Sequence, residues 1–362
     1  MKEFVQKIFS IKNDNKCHKV FTIFGLKLKL LNQNKKYKLL KNSFNEQLVN
    51  LENKLTARIQ KIMPFTQVNI IEIHIVDHCN FNCKGCTHFA PLADETYLTL
   101  EEFEADLKRL YEITNGEIKI FHILGGEPLL HPKCIEFLKS TRKIFPKSIV
   151  KLVTNGILLP EQADEFYKSC AEYDITIAPT KYQIGVKWIE IENKCEYFNV
   201  KLDYFMGSGQ AKKVMHKIIF DIEGKQNPKE QFLKCWLDNP GLFYLDHGKL
   251  YKCAQVPFIR FFNHAFNLNL EVKKSDYINI YDNITLNHIL EFMSKPSQFC
   301  RYCSKDKTIG NLEWQQSEKK ITEWIENIPE TLVAVERERE RERVIASSSL
   351  ILYFNTEYKK VA

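Results

Sequence analysis

Hydrophobic positions along the chain follow two periods in turn. In Phe21-Thr-Ile-Phe-Gly-Leu-Lys-Leu-Lys-Leu30 apolar and basic residues alternate, which predicts one or two strands. Leu48, Leu51, Leu55, Ile59 and Ile62 then recur at three- and four-residue spacing, the pattern of a helix with one apolar stripe. From residue 67 to 205 a strand-then-helix rhythm repeats. Strands are predicted near Asn69–Val76, Ile118–Leu124, Ile149–Thr154, Asp174–Ala178 and Val200–Phe205, with helices near Leu100–Ile113, Lys133–Phe145, Pro160–Glu172 and Gly185–Glu192 between them. Thr99 and Glu102 are spaced as a capping box for the first of these helices, and Pro160 suits a helix start. Repeated βα units imply a parallel sheet, open or curled into a barrel, whose ligands gather beyond the carboxyl ends of the strands.

After residue 205 the pattern changes. Gly207-Ser-Gly209 marks a break. Phe243–Leu245 and Lys249–Lys252 flank Asp246-His247-Gly248 as a hairpin would, and a helix is predicted at Leu286–Met293. From residue 311 the chain reads as a charged tail. Its run Glu336–Arg343 alternates sign, so residues four apart on a helix would carry like charge, and the segment is read as solvated. The short apolar patch Ile351–Phe354 beyond it has no account. Four regions result: a basic segment 1–66, an α/β core 67–205, a cysteine-bearing region 206–310 and the tail 311–362.

Composition narrows the function classes. The 362 residues are 44% apolar and 27% charged, ordinary for a globular protein. No run approaches the ~20 apolar residues that span a bilayer, and lysines interrupt the N-terminus before a signal-like core forms, so a cytoplasmic protein is expected. The net charge of +7 is uneven: residues 1–61 hold fourteen Lys/Arg against four Asp/Glu, which leaves the remainder slightly acidic. A footprint for anionic surfaces, a weak membrane contact among them, belongs to that segment. Its lysines are not interleaved with an RNA-binding pattern, so no specific nucleic acid is expected. Eleven cysteines, an odd count in a reducing compartment, argue for metal or redox chemistry over disulfides.

The chemistry concentrates in Ile75-Val-Asp-His-Cys79-Asn-Phe-Asn-Cys83-Lys-Gly-Cys86-Thr-His-Phe89. Three thiolates within eight residues, directly after a strand, can wrap three corners of a [4Fe–4S] cluster and leave one iron open. A zinc site completed by His74, His78 or His88 is the competing reading of this triplet alone. A second set, Cys235, Cys253, Cys300 and Cys303, can close a further cluster or a tetrahedral zinc site. Cys134 and Cys170 fall in helical patterns and read as small buried apolar residues. Glu72 and His74 alternate with isoleucines on the first strand. Lys181 and Tyr182 follow the fourth.

The C-x₃-C-x₂-C loop after the first strand, Gly125-Gly126-Glu127-Pro128 after the second and Thr154-Asn155-Gly156 after the third resemble the radical S-adenosylmethionine (SAM) superfamily in order and in placement. The resemblance covers residues 67–205. It implies a partial (β/α)6 barrel with Cys79, Cys83 and Cys86 on a [4Fe–4S] cluster, SAM on the open iron, and reductive cleavage of SAM to a 5′-deoxyadenosyl radical that takes hydrogen from substrate. Gly125, Gly126, Glu127 and Pro128 resemble the stretch that holds the SAM amino group, and Thr154 and Asn155 its ribose or carboxylate neighbours. Where the family carries an aromatic residue before the third cysteine this chain has Gly85, which leaves Phe81 or Phe89 to cover the adenine. The Cys235–Gly248–Cys253 spacing is similar to the start of a SPASM or twitch extension, which implies one auxiliary [4Fe–4S] cluster or a zinc ion held by Cys235, Cys253, Cys300 and Cys303. An electron donor such as flavodoxin or ferredoxin is implied as well. Residues 9–29 are similar to N-terminal segments of bacterial surface-glycan biosynthesis proteins and tilt the expected substrate toward a sugar or glycan precursor. A peptide- or protein-modifying maturase and a non-catalytic zinc or iron–sulfur module are the alternatives.

Overall fold

The computed structural model describes residues 9–15, 18–23, 26–31, scattered helical positions from 44 to 59, 63, 65–182, 185–205, 215–235 and 241–326. The chain divides into two compact units, residues 1–60 and 61–362. In the first, β1 (Phe9–Asn15), β2 (His18–Ile23) and β3 (Leu26–Leu31) form an antiparallel meander in which Phe9 pairs with Ile23 and Ile23 with Leu26. The alternation in residues 21–30 supplies two of these strands. The third, FSIKNDN, is too polar to announce itself by period. Leu48 and Leu55 are half-buried on the helical positions that follow, while Leu51 and Ile59 are exposed. Ile62 lies outside the described residues, as do Gly207–Gly209, Glu336–Arg343 and Ile351–Phe354.

The second unit is built on β4 (Val68–His74), α1 (Leu100–Thr114), β5 (Ile118–Leu124), α2 (Cys134–Ile144), β6 (Ile149–Thr154), α3 (Asp164–Glu172), β7 (Ile175–Pro179) and α4 (Trp188–Tyr197). Thr99 accepts from the Glu102 amide and caps α1. Four elements begin later than their patterns suggest: α2 and β7 by one residue, α4 by three and α3, expected from Pro160, by four. Before α3, residues 156–162 are spent in successive turns, with the Leu159 amide bonded to the Gly156 carbonyl. In place of the fifth predicted strand, at Val200–Phe205, there is a parallel bridge from Leu202 to Ile177, extended by bonds from Asp203 and Phe205 to the β7 backbone.

Beyond β8 (Met215–Lys217) and α5 (Pro228–Lys234), the predicted hairpin forms as β9 (Leu242–Asp246) and β10 (Lys249–Tyr251). It joins the same sheet: β9 runs parallel to β4, and with β11 (Tyr277–Asn279) the order is β11-β10-β9-β4-β5-β6-β7. Between them lies α6 (Gln255–Phe266), a helix the hydrophobic pattern did not single out. The predicted helix at 286–293 is α7 (Leu286–Met293), and β12 (Ile309–Leu312) pairs with β8.

Alternation along the strands sorts the two faces of the sheet. Ile71, Ile73, Phe121, Ile123, Val150, Leu152, Ile175 and Ile177 face the helices and are buried against Phe103 and Leu107 of α1, Phe137 of α2 and Tyr167 of α3. Each such side chain stabilises the fold by roughly 1.5–3 kcal/mol relative to exposure. Cys134 and Cys170 belong to this core, as their helical patterns predict. A second core gathers Phe89, Phe220, Phe258, Phe262, Phe299 and Trp324. No helix among the described residues is long and apolar enough to cross a membrane.

Candidate cluster and cofactor site

The cysteine loop and the Gly-Gly-Glu-Pro turn form one piece of backbone. The Gly126 amide donates to the Val76 carbonyl at 2.9 Å and the Glu127 amide to that of His78 at 3.1 Å. The approach is close enough to require glycine. A Cβ on Gly125 would sit 2.2 Å from the Val76 oxygen, and one on Gly126 would sit 2.1 Å from the His78 oxygen. The turn after β5 thus sets the position of the residue next to Cys79.

Cys79, Cys83 and Cys86 are all half-buried on this loop. Burial pushes the Cys79 thiol up to about 12, with the charges of Glu127, Cys83 and Cys86 adding to it. Burial and the same three cysteines, Cys83 foremost, hold the Tyr182 phenol well above its ordinary range, and Cys83 Sγ lies 3.7 Å from its hydroxyl. Cys83 Sγ thus lies against Tyr182, with Cys79 and Cys86 close by on the same loop, and thiolates so near one another would repel unless cations were shared. That donor chemistry fits iron, which takes thiolates. No set of three His, Cys, Asp or Glu among the described residues is gathered tightly enough for a single metal ion. A cubane asks for less crowding, since each sulfur serves a different iron.

Glu127 is fully buried, and burial pushes its carboxyl up to about 7. Its Oε1 accepts from the Leu129 amide (3.1 Å) and the Thr154 hydroxyl (2.6 Å), and Oε2 accepts from the Asn155 amide (2.8 Å). The carboxylate thus braces the loop after β5 to the loop after β6, and only its remaining lone pairs are open to a ligand ammonium. Pro128 begins the short 3₁₀ turn Pro128–Leu130 that Glu127 caps. Asn155 Nδ2 donates to Asn80 Oδ1 at 2.8 Å and lies 3.8 Å from Cys79 Sγ. Thr154, Asn155 and Gly125–Pro128 are therefore brought together with the cysteine loop at one strand-end cluster.

Gly85 has φ +63°, and its amide donates to Glu323 Oε2 at 3.1 Å. A side chain there would be strained, which accounts for the glycine where an aromatic residue was expected. Phe89 is buried in the second core, packed on Phe220, Phe262 and Trp324, and is not available to cover an adenine. Phe81 is buried as well, on the cysteine loop itself, and packs on Tyr182 and Trp314.

The cysteine loop is clasped by residues read from sequence as tail. Gln316 bridges to Cys83, the Lys84 amide donates to the Gln315 carbonyl at 2.8 Å, and the Ser317 amide to that of Asn82 at 2.7 Å. Trp314 Nε1 donates to Cys83 Sγ at 3.2 Å and Trp324 Nε1 to the Cys86 carbonyl at 3.0 Å. No periodicity announces this segment. Two tryptophans in a short polar stretch were the available signal.

On the sheet face away from the helices, five strands place polar residues in one row: Tyr244, Glu72, His122, Lys151 and Thr176 are successive register partners. Glu72 and His122 are both buried, and His122 Nδ1 meets Glu72 Oε1 at 2.9 Å. Lys151 Nζ donates to Asp203 at 2.6 Å. The row lies about 6–7 Å, two residues of strand, below the strand ends that carry the motifs. His74, one step above Glu72, stacks on Phe258 and meets His88 at 3.1 Å. Burial alone would raise the neighbouring Asp77 carboxyl, yet hydrogen bonding and charge from His74, with Arg260 and Thr96, hold it down at about 2. Of the two residues after β7, Lys181 is tied to Glu192 and Tyr204 and Tyr182 faces the sulfurs.

In the second cysteine set, Cys235 ends α5, Cys253 precedes α6, and Cys300 lies within a 3₁₀ turn, Gln298–Tyr302, that Cys303 follows. Bonds from the Lys305 amide to Gln231 and from Lys234 to Asp306 tie α5 to the segment after that turn. Burial works against the Lys305 ammonium, but the thiols of Cys235, Cys303 and Cys253 raise its pKa. Those three cysteines thus lie in the neighbourhood of one buried nitrogen, and Cys300 sits in the adjoining 3₁₀ turn.

A model of the Radical SAM superfamily matches residues 73–186, the span from β4 to the end of the turn after β7. The GTP 3′,8-cyclase of Microcystis aeruginosa is 34% identical over 107 residues, 28% of this chain and 32% of that protein, and the enzyme of the same name from Petrotoga mobilis is 30% identical over 96 residues, 26% of this chain and 30% of that one. The chain matches only about a third of the length of these curated relatives. Among solved structures, BtrN in complex with AdoMet and 2-DOIA is 16% identical with a TM-score of 0.43, covering 67% of this chain and 94% of that one. Streptococcus suis SuiB is 15% identical with a TM-score of 0.25, covering 51% and 49%.

Proposed function

The chain belongs to the radical SAM superfamily, and from that membership we propose that it is an enzyme using Cys79, Cys83 and Cys86 to hold a [4Fe–4S] cluster with SAM against Gly125–Pro128, Thr154 and Asn155, to act on an uncharged hydroxylated substrate such as a sugar or glycan precursor. When bound, the cluster and SAM supply a 5′-deoxyadenosyl radical that abstracts hydrogen. The observation carrying the site is that the loop bearing all three cysteines is locked by backbone contact to the Gly125–Gly126 turn, with Cys83 beside Tyr182. Glu127 keeps the two ligand-facing loops in register, and Phe81 closes one wall.

The substrate class rests on the polar row beneath that mouth. Among the described residues Lys151, Lys181 and Arg260 are each already paired with a carboxylate, of Asp203, Glu192 and Asp246 respectively. A triphosphate such as the GTP in the relatives' name would call for several unpaired cations. Carboxylate, imidazole and hydroxyl groups in a row suit hydroxyls, which both donate and accept. Cys235, Cys253, Cys300 and Cys303 would hold a second centre, an auxiliary cluster or zinc.

Anaerobic reconstitution of the full chain with iron and sulfide analysis tests both centres. Near eight irons per chain supports two clusters, whereas near four with stoichiometric zinc assigns zinc to the second. Reduced protein should release 5′-deoxyadenosine from SAM slowly even without substrate. An intact cluster with bound SAM and no release would leave a non-catalytic module. A separate expectation concerns the row itself. His122→Leu strips the buried Glu72 carboxylate of its donor and should cost about 1.5–3 kcal/mol of stability by chemical denaturation, while substrate-free SAM cleavage at the mouth above continues.

A further inference from the structure

Trp314 stands in an unusual relation to the cysteine loop. Its indole Nε1–H donates to Cys83 Sγ from 3.2 Å, and the backbone that follows it is pinned to the loop. Gln315 and Ser317 are bonded to Lys84 and Asn82, so the segment runs as a short antiparallel partner of the loop. The ring is held from its other side by Phe81, centroid to centroid 4.7 Å. Indole offers one donor and no acceptor. It cannot compete for iron, and what it can do at a sulfur is stabilise negative charge.

We propose that Trp314 is a positioning residue that raises the reduction potential of the cluster on Cys79, Cys83 and Cys86 by donating a hydrogen bond to the Cys83 sulfur. This rests on the function proposed above. Reduction adds one negative charge, part of which the ligand sulfurs carry, so a fixed N–H donor favours the reduced form over the oxidised one. Tyr182, at 3.7 Å from the same sulfur, is placed to act as a weaker second donor once Cys83 is a thiolate. A segment more than two hundred residues downstream thereby sets how readily the N-terminal cluster accepts the electron that SAM cleavage consumes.

Trp314→Phe keeps an aromatic ring on Phe81 and removes only the donor. In the full reconstituted chain, redox titration followed by EPR should show the variant's midpoint shifted to more negative potential. The expected bias is about three- to tenfold in the reduction equilibrium, where tenfold for one electron is 59 mV. Trp314→His, which can restore a ring N–H, should recover part of the shift. Full iron content with an unmoved midpoint in Trp314→Phe overturns the proposal. Should that variant not retain iron, protein labelled with indole-¹⁵N tryptophan decides. In otherwise wild-type and in Trp324→Phe chains, pulsed EPR of the reduced cluster should show a ¹⁵N coupling, and its absence overturns the proposal equally. A wild-type chain that takes up no cluster at all is instead the failure of the function proposed above.

Discussion

Gly126→Ala should yield a folded chain that no longer holds iron at the N-terminal site. The added methyl would meet the His78 carbonyl oxygen at 2.1 Å, its carbon at 2.3 Å and the Asp77 oxygen at 2.6 Å. All three are backbone atoms, so no side chain can rotate aside. Overpacking that a core relieves by repacking costs about 1–3 kcal/mol. Relief here has to move the strand-end backbone that leads directly into Cys79, and with it the bonds Gly126–Val76 and Glu127–His78. The helix-facing core of β4 to β7 does not depend on that turn, so circular dichroism should stay near wild type. Iron retained after reconstitution should fall at least tenfold, and 5′-deoxyadenosine release should fall to the background given by Cys79→Ala. Wild-type iron content in Gly126→Ala would show that the loop has slack that the close approach denies, and the assignment of this turn as the support of the cluster loop would fall.

The parts of this architecture legible in the sequence are those that a single segment determines. Ile118–Leu124, Ile149–Thr154 and Leu286–Met293 coincide with their patterns because each buries one face by its own period. The motifs at strand ends are read correctly as neighbours because parallel strands joined by helices bring their carboxyl ends together. What periodicity does not carry is the partner of an element. The hairpin at β9 and β10 is visible as a hairpin, but not its place beside β4, since that pairing joins residues some 170 apart and depends on which sheet edge is left open. Likewise Glu72 can be seen to alternate with isoleucines, yet its meeting with His122 needs the register of two strands. The clasp is the extreme case. Residues 313–324 have neither period, and their local composition reads as solvent-facing. The burial of Ile321, Glu323 and Trp324 comes from what they cover.

That dependence predicts a large effect at a residue with no local signature. Glu323 is 1% exposed, and its carboxylate gathers four donors. Oε2 accepts from the Gly85 amide at 3.1 Å and the Ser317 hydroxyl at 2.8 Å, and Oε1 accepts from the amides of Glu318 at 2.7 Å and Lys320 at 3.3 Å. Only the Gly85 bond reaches the cysteine loop. The other three shape the clasp that presents Trp314 and Trp324 to it. Hydrogen bonds to a charged group contribute about 1.5–3 kcal/mol each and are not additive within one network, so Glu323→Ala should cost about 3 kcal/mol or more. Glu323→Gln keeps an acceptor for one pair of donors but turns an NH₂ toward the other, and should recover only part of that loss. Thermal unfolding of the apo chain measures the stability. The release of iron to a chelator, well below the melting transition, measures the loop. Were Glu323 simply one more buried anchor of the second core, both variants would lower the melting temperature and release iron at the wild-type rate until they unfold. Since the carboxylate instead joins the clasp to the amide between Cys83 and Cys86, iron should escape from Glu323→Ala several-fold faster at temperatures where the chain is still fully folded.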